Sequence, residues 1–160
     1  MCVWIIIRSP ELFRSASLAK LSSKKLPDLE VGMSEVKCRI LVVDDHEDTP
    51  EMLKLLLSES DYEVHAAHSV SEAMRIAKLH DFDLYVLDKR LPDGTGLQLC
   101  ESLNQLTPGV PCIFYTGDAY EIHRLEALAA GADAYVAKPD VEVLIETVHK
   151  LLSGRECAAA

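Results

Sequence analysis

The sequence predicts one α/β domain built on a doubly wound parallel sheet, and three observations carry that reading. From Arg39 onward, short apolar runs rich in branched residues alternate with segments whose apolar residues recur at helical spacing, five of each kind. Two of the runs, ILVVD (40–44) and DLYVLD (83–88), are apolar almost throughout, as strands buried on both faces are. Pro, Gly, Ser and Asp punctuate the junctions, as turns require. Five strands each followed by a helix call for a parallel sheet covered on both sides with right-handed crossovers. Ligands of such sheets bind beyond the carboxyl ends of the strands, near the point where strand order reverses.

The elements follow in order. ILVVD is the first strand, and the first helix runs from Thr49, with Pro50 at its first position and Met52, Leu53, Leu56 and Leu57 at helical spacing. YEVHAA (62–67) is less hydrophobic, as at a sheet edge. A helix from Val70 to about Leu79 follows, with Ser69 as cap and Glu72 at the capping-box position. After DLYVLD, the turn LPDGTG leads into a helix over Gly96 to Leu106. CIFYTG (112–117) is the fourth strand, and Tyr120 to Ala130 the fourth helix, closed by Gly131. ADAYVAK (132–138) is the fifth strand before Pro139. The fifth helix, Val141 to Leu152, carries apolar residues at 141, 144, 145, 148, 151 and 152, one wide face.

Composition bounds the function. With 160 residues, 49% apolar and 26% charged, the chain suits one globular domain plus a tail. Its net charge of −10 argues against nucleic-acid binding through a broad basic surface. Residues 1–32 carry five basic and three acidic side chains, so residues 33–160 hold 11 basic and 23 acidic, and the acidity belongs to the body. The five cysteines (Cys2, Cys38, Cys100, Cys112, Cys157) lack C-x-x-C spacing and read as reduced thiols. The early apolar run Cys2–Ile7 is far short of a membrane span, so a cytoplasmic protein is expected. Residues 1–37 read as an extension outside the domain, or as a mis-assigned start with Met33 the true first residue; 38–153 is the domain and 154–160 a short tail.

Asp44 and Asp45 close the first strand, Asp88 the third, Thr116 the fourth and Lys138 the fifth, all at one edge of the sheet. Carboxylates crowded together in a partly desolvated place raise one another's pKa unless a cation compensates. An all-oxygen donor set suits Mg²⁺. An aspartate beside such a cation, with a hydroxyl and an ammonium opposite, matches what phosphoryl transfer to a carboxylate requires.

In these motifs the sequence resembles the receiver domain of two-component response regulators (CheY-like), over roughly Arg39 to Leu152. The resemblance implies a flavodoxin-like fold with strand order 2-1-3-4-5. It implies that Asp88 in LDKRLPDGTG is the phosphoacceptor and that Asp44, Asp45, Asp88 and the backbone carbonyl of Arg90 hold Mg²⁺. Thr116 in YTG matches the hydroxyl that contacts the phosphoryl group, and Lys138 in AKP its charge partner. Pro139 matches a proline whose peptide bond is typically cis, and Tyr135 an aromatic position that turns inward on activation. Lys89 and Arg90 directly follow the acceptor, and it is at the second of these places that the family varies. Implied partners are a histidine kinase or phosphotransfer protein upstream and a protein target at the helix 4, strand 5, helix 5 face, with self-association open. Such a domain is no enzyme beyond catalysing its own phosphorylation and dephosphorylation. SGRECAAA after Leu152 is too short for an output domain, so output is expected through protein contacts unless the chain is a fragment of a hybrid kinase or larger regulator.

Singly, each site residue has a plainer reading: a cap for Asp44 and Asp45, a turn for Asp88, strand packing for Thr116 and Tyr135, a solvated strand end for Lys138. Their order and shared placement favour the receiver reading. A scaffold without phosphorylation is disfavoured by the intact Asp88, Thr116 and Lys138. A phosphohydrolase of the haloacid dehalogenase type is disfavoured because the first strand ends in DD rather than D-x-D. His46 adjoins the acidic pair, His65 and His68 need not converge, and His123 and His149 read as surface helix residues. Ala127, Ala129, Ala130 and Ala137 are expected to leave the output face low in relief.

Overall fold

The computed structural model describes residues 37–58, 62–118, 120–153, 155 and 157. The expected N-terminal extension, with the question of Met33, lies outside the described residues apart from Lys37. Strands β1 (Cys38–Val43), β2 (Tyr62–Ala67), β3 (Leu84–Leu87), β4 (Cys112–Thr116) and β5 (Ala134–Ala137) alternate with helices α1 (Asp48–Ser58), α2 (Val70–Ala77), α3 (Gly96–Leu106), α4 (Glu121–Ala129) and α5 (Val141–Leu152). The strands form one parallel sheet in the order β2-β1-β3-β4-β5, as expected. The order reverses at β1, between β2 and β3, which places the switch point at the ends of β1 and β3. Among the described residues no helix is long and apolar enough to cross a membrane.

The continuous apolar character of β1 follows from its burial on both faces. Ile40 and Val42 pack with Leu53 and Leu57 of α1 and Leu144 and Val148 of α5. Leu41 and Val43 face the other way, with Ala73 and Ala77 of α2 and Leu99 and Leu103 of α3. Each fully buried leucine of this kind contributes about 2 kcal/mol of transfer free energy, so the two clusters hold the strand ends in register.

Local rules account for the helix starts. The Ser69 hydroxyl accepts from the Glu72 amide at 3.2 Å, while the Glu72 carboxylate takes the His68 N–H at 2.9 Å rather than that of the cap residue. Thr95 and Gln98 make a reciprocal capping box on α3. Gly131 closes α4 at φ 97°, the left-handed conformation that favours glycine.

Several expectations need correcting. α1 begins at Asp48, which puts Pro50 third, still within the turn whose N–H groups have no partner inside the helix. Leu53 and Leu57 are buried, but Met52 and Leu56 are over a third exposed and Leu55 is 73% exposed, so the inward stripe of α1 is narrower than its leucine spacing suggested. LPDGTG forms a small antiparallel ribbon, Arg90–Leu91 against Gly94–Thr95, where a plain turn was expected.

The cysteines also depart from expectation. Cys100 and Cys112 are buried free thiols, but Cys38 at the start of β1 is joined to Cys157 as a disulfide, with Cα atoms 4.9 Å apart and a sequence separation of 119. That Cα separation suits a disulfide, and so wide a spacing leaves no sequence motif. In the chain-entropy model, closing so long a loop stabilises the fold by about 5 kcal/mol. Cys157→Ser, treated with oxidised glutathione, is expected to melt several degrees below identically treated wild type, and dithiothreitol to abolish the difference. Equal melting temperatures before reduction would show that the bond does not constrain the chain in solution.

Candidate functional site

Sheet bonds continue one residue past the strands and fix the site. Asp44 N–H donates to the Ala67 carbonyl (3.1 Å), Asp88 N–H to Val43 (2.8 Å) and Lys138 N–H to Thr116 (2.8 Å). Because all five strands run the same way, their carboxyl ends bring these residues to one rim. Gly96 lies directly beneath: its N–H donates to the Lys89 carbonyl at 2.9 Å, and a Cβ there would stand 2.1 Å from the Asp88 carbonyl oxygen. The loop after Asp88 can therefore approach α3 only because residue 96 has no side chain.

The Lys138 ammonium bridges two buried carboxylates, 2.6 Å from Asp44 Oδ2 and 3.1 Å from Asp88 Oδ1. Burial opposes its charge, but the two carboxylates outweigh that and raise its pKa. Its Nζ also stands 5.6 Å above the centroid of the Tyr115 ring. The other Asp88 oxygen accepts from the Arg90 amide at 2.6 Å. Thr116 is 3% exposed and lines the same cleft, of about 610 Å³, with Asp45, Asp88, Arg90, Asp118 and Lys138.

Asp44 and Asp45 divide their tasks. Asp44 is buried and paired with Lys138, whereas Asp45 is 42% exposed and open to the cleft. His46 joins them: its N–H donates to Asp44 Oδ1 at 3.0 Å, and its Nδ1 stands 2.9 Å from Asp45 Oδ1. One ligand atom from each of Asp44, Asp45 and His46 lies within 4.8 Å of the others. One lysine cannot neutralise Asp44, Asp45 and Asp88 together, and the open carboxylate of Asp45 with the oxygens around it fits a hard divalent cation.

A second group of residues was not anticipated. Asp118, two positions past Thr116, has His123 Nδ1 at 2.6 Å and Lys89 Nζ at 3.4 Å. Its carboxyl is held below the usual range, first by the His123 imidazole beside it. His123 is therefore no free surface residue but ties α4 to the loop after β4. The Asp118 carbonyl accepts from the Tyr135 hydroxyl, and the Tyr135 ring stacks on Phe114 at 6.2 Å between centroids. Burial first, then Asp118 and Asp88, push Tyr135 up to about 12. A DAYEIH pattern alone carries no signal for this clasp, which needs the first turn of α4 folded against the loop.

Asp44, Asp45, Asp88, Thr116, Arg90 and Lys138 thus converge, while Tyr135 stands to one side and reaches the site through Asp118. The Lys138–Pro139 peptide bond is cis. Lys89 reaches toward Asp118 and Glu126, so of the two cations that follow Asp88 it is Arg90 that lines the cleft, with Lys138. His65 and His68 part company: His65 meets Glu63 at 2.8 Å, and His68 Nδ1 meets the Asp44 carbonyl at 2.9 Å. Ala127 is 1% exposed and is not part of any surface; the large apolar residues exposed in that region are Tyr120, Ile122 and Leu125.

Residues 40–149 match the family model described as the response regulator receiver domain. The response regulator protein PilR of Pseudomonas aeruginosa is 35% identical over 101 residues, 63% of this chain and 23% of PilR. Response regulator ArlR of Staphylococcus aureus is 30% identical over 115 residues, 71% of this chain and 52% of ArlR. The chain thus matches about half or less of these relatives' length. The non-phosphorylated HemR receiver domain of Leptospira biflexa superposes with a TM-score of 0.69 at 34% identity, covering 76% of this chain and 99% of that one. With the expected strand order, the rim of acidic residues and a family match over most of the described domain, this chain belongs to the receiver domain family of two-component response regulators.

Proposed function

We propose that the chain is a response regulator receiver, phosphorylated on Asp88 by a histidine kinase or phosphotransfer protein in a Mg²⁺-dependent reaction. The observation that carries this reading is the Lys138 ammonium spanning Asp44 and Asp88 at the ends of three strands. In the transfer step an Asp88 oxygen attacks phosphorus, and the new O–P bond forms as the donor's N–P bond breaks. Lys138, 3.1 Å from Asp88 Oδ1, stays beside the incoming phosphoryl charge. The Arg90 amide orients the carboxylate through its second oxygen. Thr116 offers a hydroxyl to a phosphoryl oxygen, drawing the loop after β4 toward the site. Mg²⁺, held by Asp44, Asp45, Asp88 and the Arg90 carbonyl, supplies the remaining positive charge when bound.

Output follows from the Asp118 clasp. Movement at Thr116 is transmitted two residues along to Asp118, and from there to Tyr135 on β5 and His123 on α4. Phosphorylation shifts the population of this face only as far as it stabilises one arrangement over the other. Tyr120, Ile122 and Leu125, between half and three-quarters exposed, provide an apolar patch for a cytoplasmic protein target or for a second copy.

The test is intact-protein mass after incubation with acetyl phosphate, with and without Mg²⁺. A phosphoryl adduct that requires Mg²⁺ is expected. Its absence from folded, Mg²⁺-binding protein would favour an unphosphorylated scaffold, and steady turnover of other phosphate esters would favour a phosphohydrolase.

A further inference from the structure

His46 has no part in the site as the family resemblance implies it, yet its position serves the cation. Its backbone is anchored by the N–H bond to Asp44 Oδ1 at 3.0 Å. Its Nδ1 stands 2.9 Å from Asp45 Oδ1 and 3.5 Å from Asp44 Oδ1. Adjacent ligands of an octahedral divalent ion with bonds of about 2.1 Å are themselves about 3 Å apart. The spacing of the imidazole nitrogen from its two carboxylate neighbours is therefore close to that of neighbouring ligand positions. The ring is 75% exposed and free of core packing, so it can reorient its lone pair without disturbing the fold.

We propose that His46 is a nitrogen ligand to the divalent cation held at Asp45, and that it biases this receiver toward first-row transition ions over Mg²⁺. The inference rests on the cation reading of the cleft given above. Imidazole is a better partner for Mn²⁺, Co²⁺ or Zn²⁺ than for Mg²⁺, which prefers oxygen and dehydrates reluctantly. An alternative role for the same contact is a hydrogen bond from Nδ1–H to Asp45 that never reaches the metal.

Pulsed electron paramagnetic resonance of bound Mn²⁺ separates the two, using the whole chain as wild type, His46→Gln and Asp45→Asn. The wild-type spectrum is expected to contain imidazole nitrogen coupling, lost in His46→Gln. In competition titrations, the preference for Co²⁺ over Mg²⁺ should fall about ten-fold in His46→Gln, the scale typical of losing one supporting residue. Asp45→Asn should scarcely bind either ion. If Asp45→Asn abolishes binding while wild type shows no nitrogen coupling, or if His46→Gln leaves the preference unchanged, His46 only hydrogen-bonds and the inference is overturned with the cation site intact. If wild type binds no divalent ion, or Asp45→Asn binds as wild type does, the reading of the cleft falls and this inference with it.

Discussion

Asp88→Asn is expected to remain folded and to take no phosphoryl adduct from acetyl phosphate, with or without Mg²⁺. The amide lacks the charged oxygen that attacks phosphorus, so the loss should be complete rather than partial. Folding should change little because the shape is conserved and two effects oppose one another. Asp88 Oδ1 accepts from Lys138 and Oδ2 from the Arg90 amide; an asparagine can serve only one of these donors and must turn its own NH₂ toward the other. Against that, removing one of three crowded carboxylates relieves repulsion in the absence of metal. The net change is expected within about 2 kcal/mol, measured as a shift in urea midpoint. A variant that still gained the phosphoryl mass would place the acceptor elsewhere and overturn the assignment of Asp88.

Gly96→Ala is expected to be the most damaging small substitution near the site. An added Cβ would meet the Asp88 carbonyl oxygen at 2.1 Å and Phe114 Cε1 at 2.9 Å. The Asp88 backbone cannot simply swing aside, because its N–H is bonded to Val43 and Gly96 N–H to the Lys89 carbonyl. Phe114 is fully buried and has no room to yield. The end of β3 and the start of α3 must therefore separate, at a cost of about 3 kcal/mol. Asp88 would move with them, so phosphorylation by acetyl phosphate should slow as well as the urea midpoint fall. Wild-type stability and rate in Gly96→Ala would show that this close approach is not maintained in solution.

The two substitutions differ in how far the sequence foretells them. Asp88 was legible because it closes an apolar run, and in a parallel sheet every such run points its end at the same rim. Gly96 looked like ordinary punctuation before a helix; its task exists only once α3 packs under β3.

The same division holds across the molecule. Strand and helix order, the burial of ILVV on both faces and the gathering of Asp44, Asp45, Asp88, Thr116 and Lys138 at one edge were determined by the sequence alone, since they follow from local periodicity and the common direction of parallel strands. Only the tertiary structure decided which group each of these faces. Lys138 finds Asp44 across 94 positions, Cys38 finds Cys157 across 119, and Asp118 gathers Lys89 from the loop after β3, His123 from α4 and Tyr135 from β5. It also left Met52 and Leu56 of α1 more than a third exposed despite their helical spacing. Periodicity reports which side of an element is apolar, but pairings between distant side chains and the true width of a buried face depend on where neighbouring elements stop, and no local pattern in the chain encodes that distance.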